Sequence, residues 1–420
     1  MRHFLRVLGG IAVLSFLVAA APARAATKAP AAIKIGTLYA SSGIFAPVSM
    51  PQFDGLKLWV DEMNAKGGVY VKPYHKKIPI KLIAYDDLSN TATAATLYDR
   101  LVTQNKVDIL TTDFGSVLTS VAEPIARVHK MLLINQTGTG AIFFTKSNPY
   151  IVLTSAPFTD ALGKYVPEFL TTDGVKLGIR RVAILYHTND FDGPLTAAMR
   201  RMILAAKSRL KIVYYHGVPT STNSYTVLIA NIRATHPDAV IEDGYPDNDI
   251  AYLRALEASG VKFKWQFAIY PGIESQLFMR TVGLKGLKDV FTEVPPSVLE
   301  RKVAFGMSLP QYRAAWDKKY GESKVAFGFH SVAGYTTGLV LQQALATTSS
   351  MRQLALRKAI FAQSGKLKTI DGTFRLNAEG AQIGEVPPLG QIEPNGKGGE
   401  KFVIVYPHKL ATGKPVYPAK

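Results

Sequence analysis

The stretch Thr111–Ala141 reads TTDFGSVLTSVAEPIARVHKMLLINQTGTGA. Just before it, Val107-Asp108-Ile109-Leu110 is a short apolar run of the length of a buried strand. That run stops at a small polar turn, Asp113-Phe114-Gly115-Ser116, after which Val117, Val121, Ile125 and Val128 recur at helical spacing. A second apolar run, Met131 to Ile134, ends in another hydroxyl-rich turn, Asn135 to Gly140. The unit is therefore strand, turn, helix, strand, turn.

In an open parallel sheet both turns fall at the carboxyl ends of their strands. Loops diverge there, and helix N-termini present free N–H groups to a ligand. Ser116 stands where it either caps the following helix or offers its hydroxyl to a ligand oxygen, and Thr137 and Thr139 alternate so that both reach one face of an extended turn. Helix capping alone explains any one of these hydroxyls equally well. Two adjacent turns rich in them favour a binding site.

The same alternation extends in both directions. Ile33 to Leu38 reads as a first strand, closed by Ser41-Ser42-Gly43-Ile44-Phe45, and Phe53, Leu56, Val60 and Met63 mark one helix face. Ile78 to Tyr85 is a strand ending at Asp86-Asp87, followed by a helix from Thr91 to Gln104. Beyond the opening unit, strands are expected at 150–154, 181–186, 211–215, 238–242, 264–270 and 289–294, with helices between them. Short polar turns separate all of these, a pattern that calls for parallel sheets with helices on both faces. The remainder, with helices over 309–320 and 331–347 and strands over 372–376 and 401–406, completes the earlier units.

Composition narrows the setting. Arg2 and Arg6, the apolar run Val7 to Ala21 and Ala23-Arg24-Ala25 read as a secretory signal cut after Ala25. The rest, 47% hydrophobic over the whole chain, suffices for two cores. The chain has no cysteine, so it has neither disulfides nor thiol chemistry. Its net charge of +18, or +15 without the three arginines of the signal, favours an anionic ligand. Nucleic acid is not expected, because the Lys and Arg residues are scattered in nothing longer than pairs such as Lys76-Lys77.

Met63-Asn64-Ala65-Lys66-Gly67-Gly68-Val69, followed by Ile80 to Tyr85 and Asp86-Asp87, with Ser42-Gly43, Pro124-Ile125-Ala126 and the helix from His330 to Leu345, resembles the type I periplasmic solute-binding proteins. The branch is that of the leucine/isoleucine/valine-binding protein, and the resemblance runs from Ile33 to Tyr406. It implies an α/β fold of two doubly wound parallel-sheet lobes joined by three crossing segments, near Thr154, Val294 and Met351. The expected N-terminal lobe is 33–153 with 296–350, and the expected C-terminal lobe is 154–295 with 351–420. The ligand lies in the cleft between the lobes, which close around it. Tyr70 to Lys77, longer and more basic than the family's usual loop, reads as a surface feature.

The resemblance also implies a site. By position, the turn of Gly115 and Ser116 and the turn of Thr137 and Thr139 hold the ligand's carboxylate, with Ser42 beside them. Phe45, Phe191, Tyr245 and Tyr270 supply aromatic walls, although core packing also accounts for Phe45 and Phe191. One departure matters. Amino-acid binders of this branch place a glutamate in the turn after the strand at 264–270, and here that turn is Tyr270-Pro271-Gly272-Ile273. Glu274, Asp243 and Asp247 are possible substitutes. The expected ligand is a carboxylate with an apolar or aromatic body lacking an amine, with a branched-chain amino acid as the competitor.

The expected role is a periplasmic receptor, monomeric and without cofactor or metal, that delivers its solute to an inner-membrane ABC permease. A receptor feeding a signalling partner is the alternative. An enzyme is not expected: there is no Gly-x-Ser-x-Gly, no His-Glu-x-x-His and no phosphate loop. Asp86-Asp87 reads as a cap or cleft rim more readily than as an acid/base pair.

Overall fold

The computed structural model describes residues 28–321 and 325–419, and the expected signal segment lies outside them. The chain begins with β1 (Ile33–Tyr39), α1 (Ala46–Ala65), β2 (Val69–Val71), β3 (Lys76–Ile78), β4 (Ile80–Asp86) and α2 (Thr91–Thr103). It continues with β5 (Ile109–Thr111), α3 (Gly115–Val128), β6 (Leu133–Asn135) and β7 (Ile151–Leu153). Five of these strands form a parallel sheet in the order β4-β1-β5-β6-β7. Ile35 sits at the centre of the register, beside Leu82 on one side and Ile109 on the other. The central strands are covered on both faces, which is why they read as unbroken apolar runs.

The second half carries α4 (Thr159–Leu162), α5 (Tyr165–Phe169), β8 (Arg181–His187), α6 (Asp192–Ala205), β9 (Lys211–Val218), α7 (Thr226–Ala234) and β10 (Ala239–Asp243). Then come α8 (Pro246–Ser259), β11 (Trp265–Ala268), α9 (Tyr270–Ile273), α10 (Ser275–Thr281), α11 (Gly283–Leu287) and β12 (Phe291–Glu293). The last segment holds α12 (Leu309–Tyr320), α13 (Phe329–Thr347), α14 (Gln353–Phe361), β13 (Lys368–Thr369), β14 (Gly372–Thr373), β15 (Leu389–Pro394) and β16 (Glu400–Tyr406). The second sheet has the order β16-β15-β12-β11-β10-β8-β9. It is parallel from β12 to β9, but β15 and β16 add an antiparallel edge. The expectation of parallel pairing is corrected there: β15 and β16 are joined by a short loop, and only antiparallel neighbours allow one.

A helix pair fastens the end of the chain to its beginning. Along α1 and α13 small residues let the backbones touch: a Cβ at Gly334 would lie on the carbonyl of Gln52, one at Gly55 on that of Ser331, and one at Gly338 on the ring of Trp59. Trp59, Tyr335 and Leu339 fill the same core as Ile33 and Ile35.

One expectation is refined here and one changes. Tyr70–Lys77, expected as a surface feature, exposes Tyr70, Lys72 and His75 to Lys77 but is paired as the hairpin β2–β3, with Val69, Val71 and Ile78 buried. Alternation of Val69, Val71 and Ile78 with exposed Tyr70 and Lys77 was the signal for it. Residues 353–376, expected in the second lobe, instead place Leu356, Ile360, Leu367 and Phe374 in the core of the first sheet.

Three connectors run side by side between the sheets. Leu153 N–H donates to Gly380, Phe158 N–H to Gln382, and Val294 N–H to Pro388, each at 2.9 Å. The third crossing therefore lies at 377–388, not near Met351, because α14 and β13–β14 return to the first sheet before the chain passes over. Side chains cross-link the connectors too. Ser155 Oγ donates to Asp371 at 2.5 Å, and Arg301 pairs with Glu385.

Candidate functional site

The turn after β5 is held open by its glycine. Gly115 has φ +74°, a left-handed conformation that a side chain would strain. Its N–H donates to Thr137 Oγ1 at 3.2 Å, and Thr137 in turn donates to Gln52 Oε1 at 2.5 Å. Asn135 knits the neighbouring turn by accepting from Gly138 N–H at 2.7 Å and donating to its carbonyl at 2.6 Å. Ser116 Oγ accepts from Gly140 N–H at 3.0 Å, tying the two turns together. The opening stretch of the sequence is thus one hydrogen-bonded shelf at the N-terminus of α3.

Across from it stand the strand ends of the second sheet. Phe191 follows β8, Tyr245 follows β10, Tyr270 follows β11, and Glu293 closes β12. Asn248 accepts from Tyr245 N–H and fixes that residue at the start of α8. The rings interlock: Phe191 stacks on Tyr245 with centroids 5.7 Å apart, and Phe45 meets Tyr245 edge-on at 5.2 Å. Phe114 packs edge-on against His330 at 4.8 Å. His330 Nδ1 lies 2.5 Å from Glu274 Oε1, so a buried pair joins the start of α13 to the turn after α9.

Between shelf and strand ends lies a cavity. Of the residues expected at the site, it is lined by Gly115, Thr137, Thr139, Phe191, Tyr245 and Tyr270. The other three lie elsewhere. Ser42 is exposed and only its carbonyl is used, accepting from Ser89 Oγ. Phe45 is buried behind Tyr245 and Phe114, and Ser116 spends its hydroxyl on Gly140. The proposed substitutes for the missing glutamate do not line the cavity either. Asp247 is exposed in the first turn of α8, Asp243 is buried beneath the wall, and Glu274 is engaged by His330.

The cavity also has lining residues that sequence reasoning passed over: Phe114, Phe329, His330, Glu293, Asp371 and Glu385. One signal for Glu293 was available. It is a lone acid in the apolar run Val290-Phe291-Thr292-Glu293-Val294, followed directly by Pro295-Pro296. Asp371 and Glu385 gave none, since the β13–β14 turn brings the first here and the third crossing the second.

Several polar groups on this cavity have no hydrogen-bond partner although fully buried: Thr139 Oγ1, the Tyr245 hydroxyl, Glu293 Oε2 and Asp371 Oδ1. Burial pushes the Glu293 carboxyl well above the usual range and raises Asp371 too. Glu385 is pushed up to about 8 by burial and by Asp371, despite its pairing with Arg301. The Tyr245 hydroxyl faces the first N–H groups of α3, those of Ser116 and Val117, without closing a bond of normal geometry. That hydroxyl occupies the position an anion would take at a helix N-terminus.

The free space is about 40 Å³. By the volume one water requires, that admits about three waters. The walls touch around it: a Cβ at Gly140 would come 2.7 Å from the carbonyl of Asp190. The cleft is closed. Among the described residues no group of side chains is arranged to hold a metal ion, and no helix is long and apolar enough to cross a membrane.

Two lobes of α/β build, three connectors and a polar-and-aromatic cleft define the type I fold of solute-binding proteins. The family model described as periplasmic binding protein matches residues 32–397, and the chain belongs to that family. A Leu/Ile/Val-binding protein homologue from Brucella suis is 23% identical over 414 residues, 96% of each chain. The structure is similar to a branched-chain amino acid transporter substrate-binding protein, LivJ, of Streptococcus pneumoniae in complex with isoleucine. The TM-score is 0.70 at 19% identity, covering 90% of this chain and all of the other. It is equally similar to a solute-binding protein of an ABC transporter from R. palustris in complex with benzoate. There the TM-score is 0.70 at 18% identity, covering 89% of this chain and 96% of the other.

Proposed function

We propose that this chain is an exported solute receptor that captures a small carboxylate-bearing ligand with an apolar body by lobe closure. It then presents that ligand to an ABC permease of the inner membrane. The lobes we assign are 33–153 with about 297–376, and about 159–293 with 389–419. They hinge on the three connectors. The leader at 1–25 directs the chain to the periplasm, and the protein carries out no covalent chemistry on its cargo.

One observation carries the reading: unpartnered buried polar groups from both lobes converge on a single aromatic-walled cavity. Leaving such groups unpaired costs about 1–3 kcal/mol each, so a ligand that satisfies them favours the closed state by that difference. The first turn of α3 suits the carboxylate, and the rings of Phe114, Phe191, Tyr245 and Tyr270 suit an apolar body. The two structural neighbours were captured with isoleucine and with benzoate, each a carboxylate on an apolar body.

The test is a thermal-shift screen of residues 26–420 against branched-chain and aromatic amino acids and against benzoate- and cinnamate-like acids. A ligand that binds the folded protein alone raises its melting temperature by mass action. A dose-dependent rise with members of this panel is expected. No rise with any carboxylate, alongside a rise with neutral solutes, would overturn the reading.

A further inference from the structure

The charges around the cavity do not balance. Besides Asp243 beneath the wall, four carboxylates lie on it or beside its lining. Two have partners: Glu385 pairs with Arg301, and Glu274 with His330. Two remain. Glu293 is 2% exposed and lines the cavity with Oε2 unpartnered, and Asp371 is also 2% exposed, with one oxygen on Ser155 and the other free. Neither Lys nor Arg lines the cavity. The buried Asp243, itself without a hydrogen bond, lies close enough to Glu293 to interact with it and adds to the negative field.

We infer that Glu293 is the counter-ion for a positively charged group of the ligand. This places a cation subsite at the end of β12, one strand removed from the turn where the family resemblance led us to look for it. The inference rests on the solute-receptor reading and deepens it: the ligand carries an amine as well as a carboxylate. A buried carboxylate with no partner stays neutral by holding its proton, or is completed by a cation. The empty, closed cleft takes the first course. The two ends of the ligand are then sorted by the walls. The anion goes to Thr139 and to the N-terminus of α3, displacing the Tyr245 hydroxyl that faces the Ser116 and Val117 N–H groups in the empty cleft. The cation goes to the opposite side, where only acceptors stand free. An amine-free acid would leave the acidic side unsatisfied. In the step we describe the ammonium takes its place against Glu293, and the Glu293 proton leaves to solvent. No bond other than that O–H is broken.

The test uses matched pairs sharing a body and a carboxylate and differing only in the amine: leucine with 4-methylpentanoate, and phenylalanine with 3-phenylpropanoate. Each is titrated calorimetrically into residues 26–420. In at least one pair the amine-bearing member should bind about tenfold or more tighter, the size of one charge-assisted bond. Glu293→Gln should erase that preference by weakening the amine-bearing member alone. Equal or tighter binding of the amine-free members to the unaltered protein overturns the inference and leaves the receptor reading standing. Binding of neither member of either pair strikes the carboxylate reading itself. If Glu293→Gln does not fold, the unaltered protein still decides.

Discussion

The two walls of the cleft are built from the same kind of element, a turn after a parallel strand, yet they settle their polar groups in opposite ways. On the first-lobe wall the turns are tied together within the protein, Gly115 with Thr137, Thr137 with Gln52 and Ser116 with Gly140, and of its cavity-lining hydroxyls Thr139 Oγ1 is left without a partner. The acids behind it are paired in part. Asp113 accepts from Ser49 at 2.5 Å and its N–H donates to the Tyr98 hydroxyl at 2.7 Å, while one oxygen each of Asp113 and Asp87 is buried without a partner. On the second-lobe wall Tyr245, Glu293 and Asp243 have no such partners. One wall is a finished platform; the other waits for its ligand. Substitutions on the first should therefore cost folding stability as well as binding, and substitutions on the second should cost binding with the fold intact.

The sharpest break of that contrast is Gly115→Val. A branched side chain at φ +74° costs about 1–3 kcal/mol in backbone strain, and its Cβ would stand 3.5 Å from the Tyr245 hydroxyl. Loss of every ligand-induced melting shift is expected, together with a lower melting temperature. Thr137→Val keeps the shape but strands Gly115 N–H and Gln52, for a loss of about 1–3 kcal/mol in denaturant unfolding. An unchanged midpoint would mean that the platform is not held by this hydroxyl.

Acidity gives a third measurement. Burial and Asp113 raise Asp87 from 3.8 to about 8, and burial raises Asp113 to about 6. Acids raised by folding contribute stability that is present below their unfolded values and lost as pH climbs through the folded ones. The ligand-free protein should thus be less stable at pH 8.5 than at pH 5, with the loss spread across that range. Asp87→Asn should flatten the difference. The smallest effect is expected at Tyr245→Phe. The hydroxyl removed makes no bond in the empty cleft, so stability should stay within about 0.5 kcal/mol while ligand affinity changes. A large fall in melting temperature would make Tyr245 part of the finished structure after all.

The platform was legible in the sequence because it is local. Val107 to Gly140 carries its strands, helix and turns within one short span, and periodicity with turn chemistry reveals them. Tyr245, Phe191 and Tyr270 were legible as turn residues after apolar runs. What escaped lies at long range. Ser116 reads as a cap or a ligand group, and only the fold brings Gly140 to it. Glu293 is an acid inside an apolar strand, and its orphaned oxygen is a property of its neighbours. Glu385 reaches the cleft on the third connector at 377–388 and Asp371 on the β13–β14 turn before it, positions no local pattern marks. The hairpin at 69–78 was missed because charge on its exposed face outweighed the alternation beneath.

The pairing of α1 with α13 bears on the order in which the molecule is made. The core that holds Ile33, Ile35 and Trp59 is closed by Tyr335 and Leu339, so the first lobe lacks one of its own walls until most of the chain has been synthesised. Contacts of such sequence separation form slowly, because a long loop must close before they reward it. A ribosome-bound chain ending anywhere before α13 holds an unfinished core. For a polypeptide threaded through a membrane in extended form, that delay keeps it pliable until it has crossed.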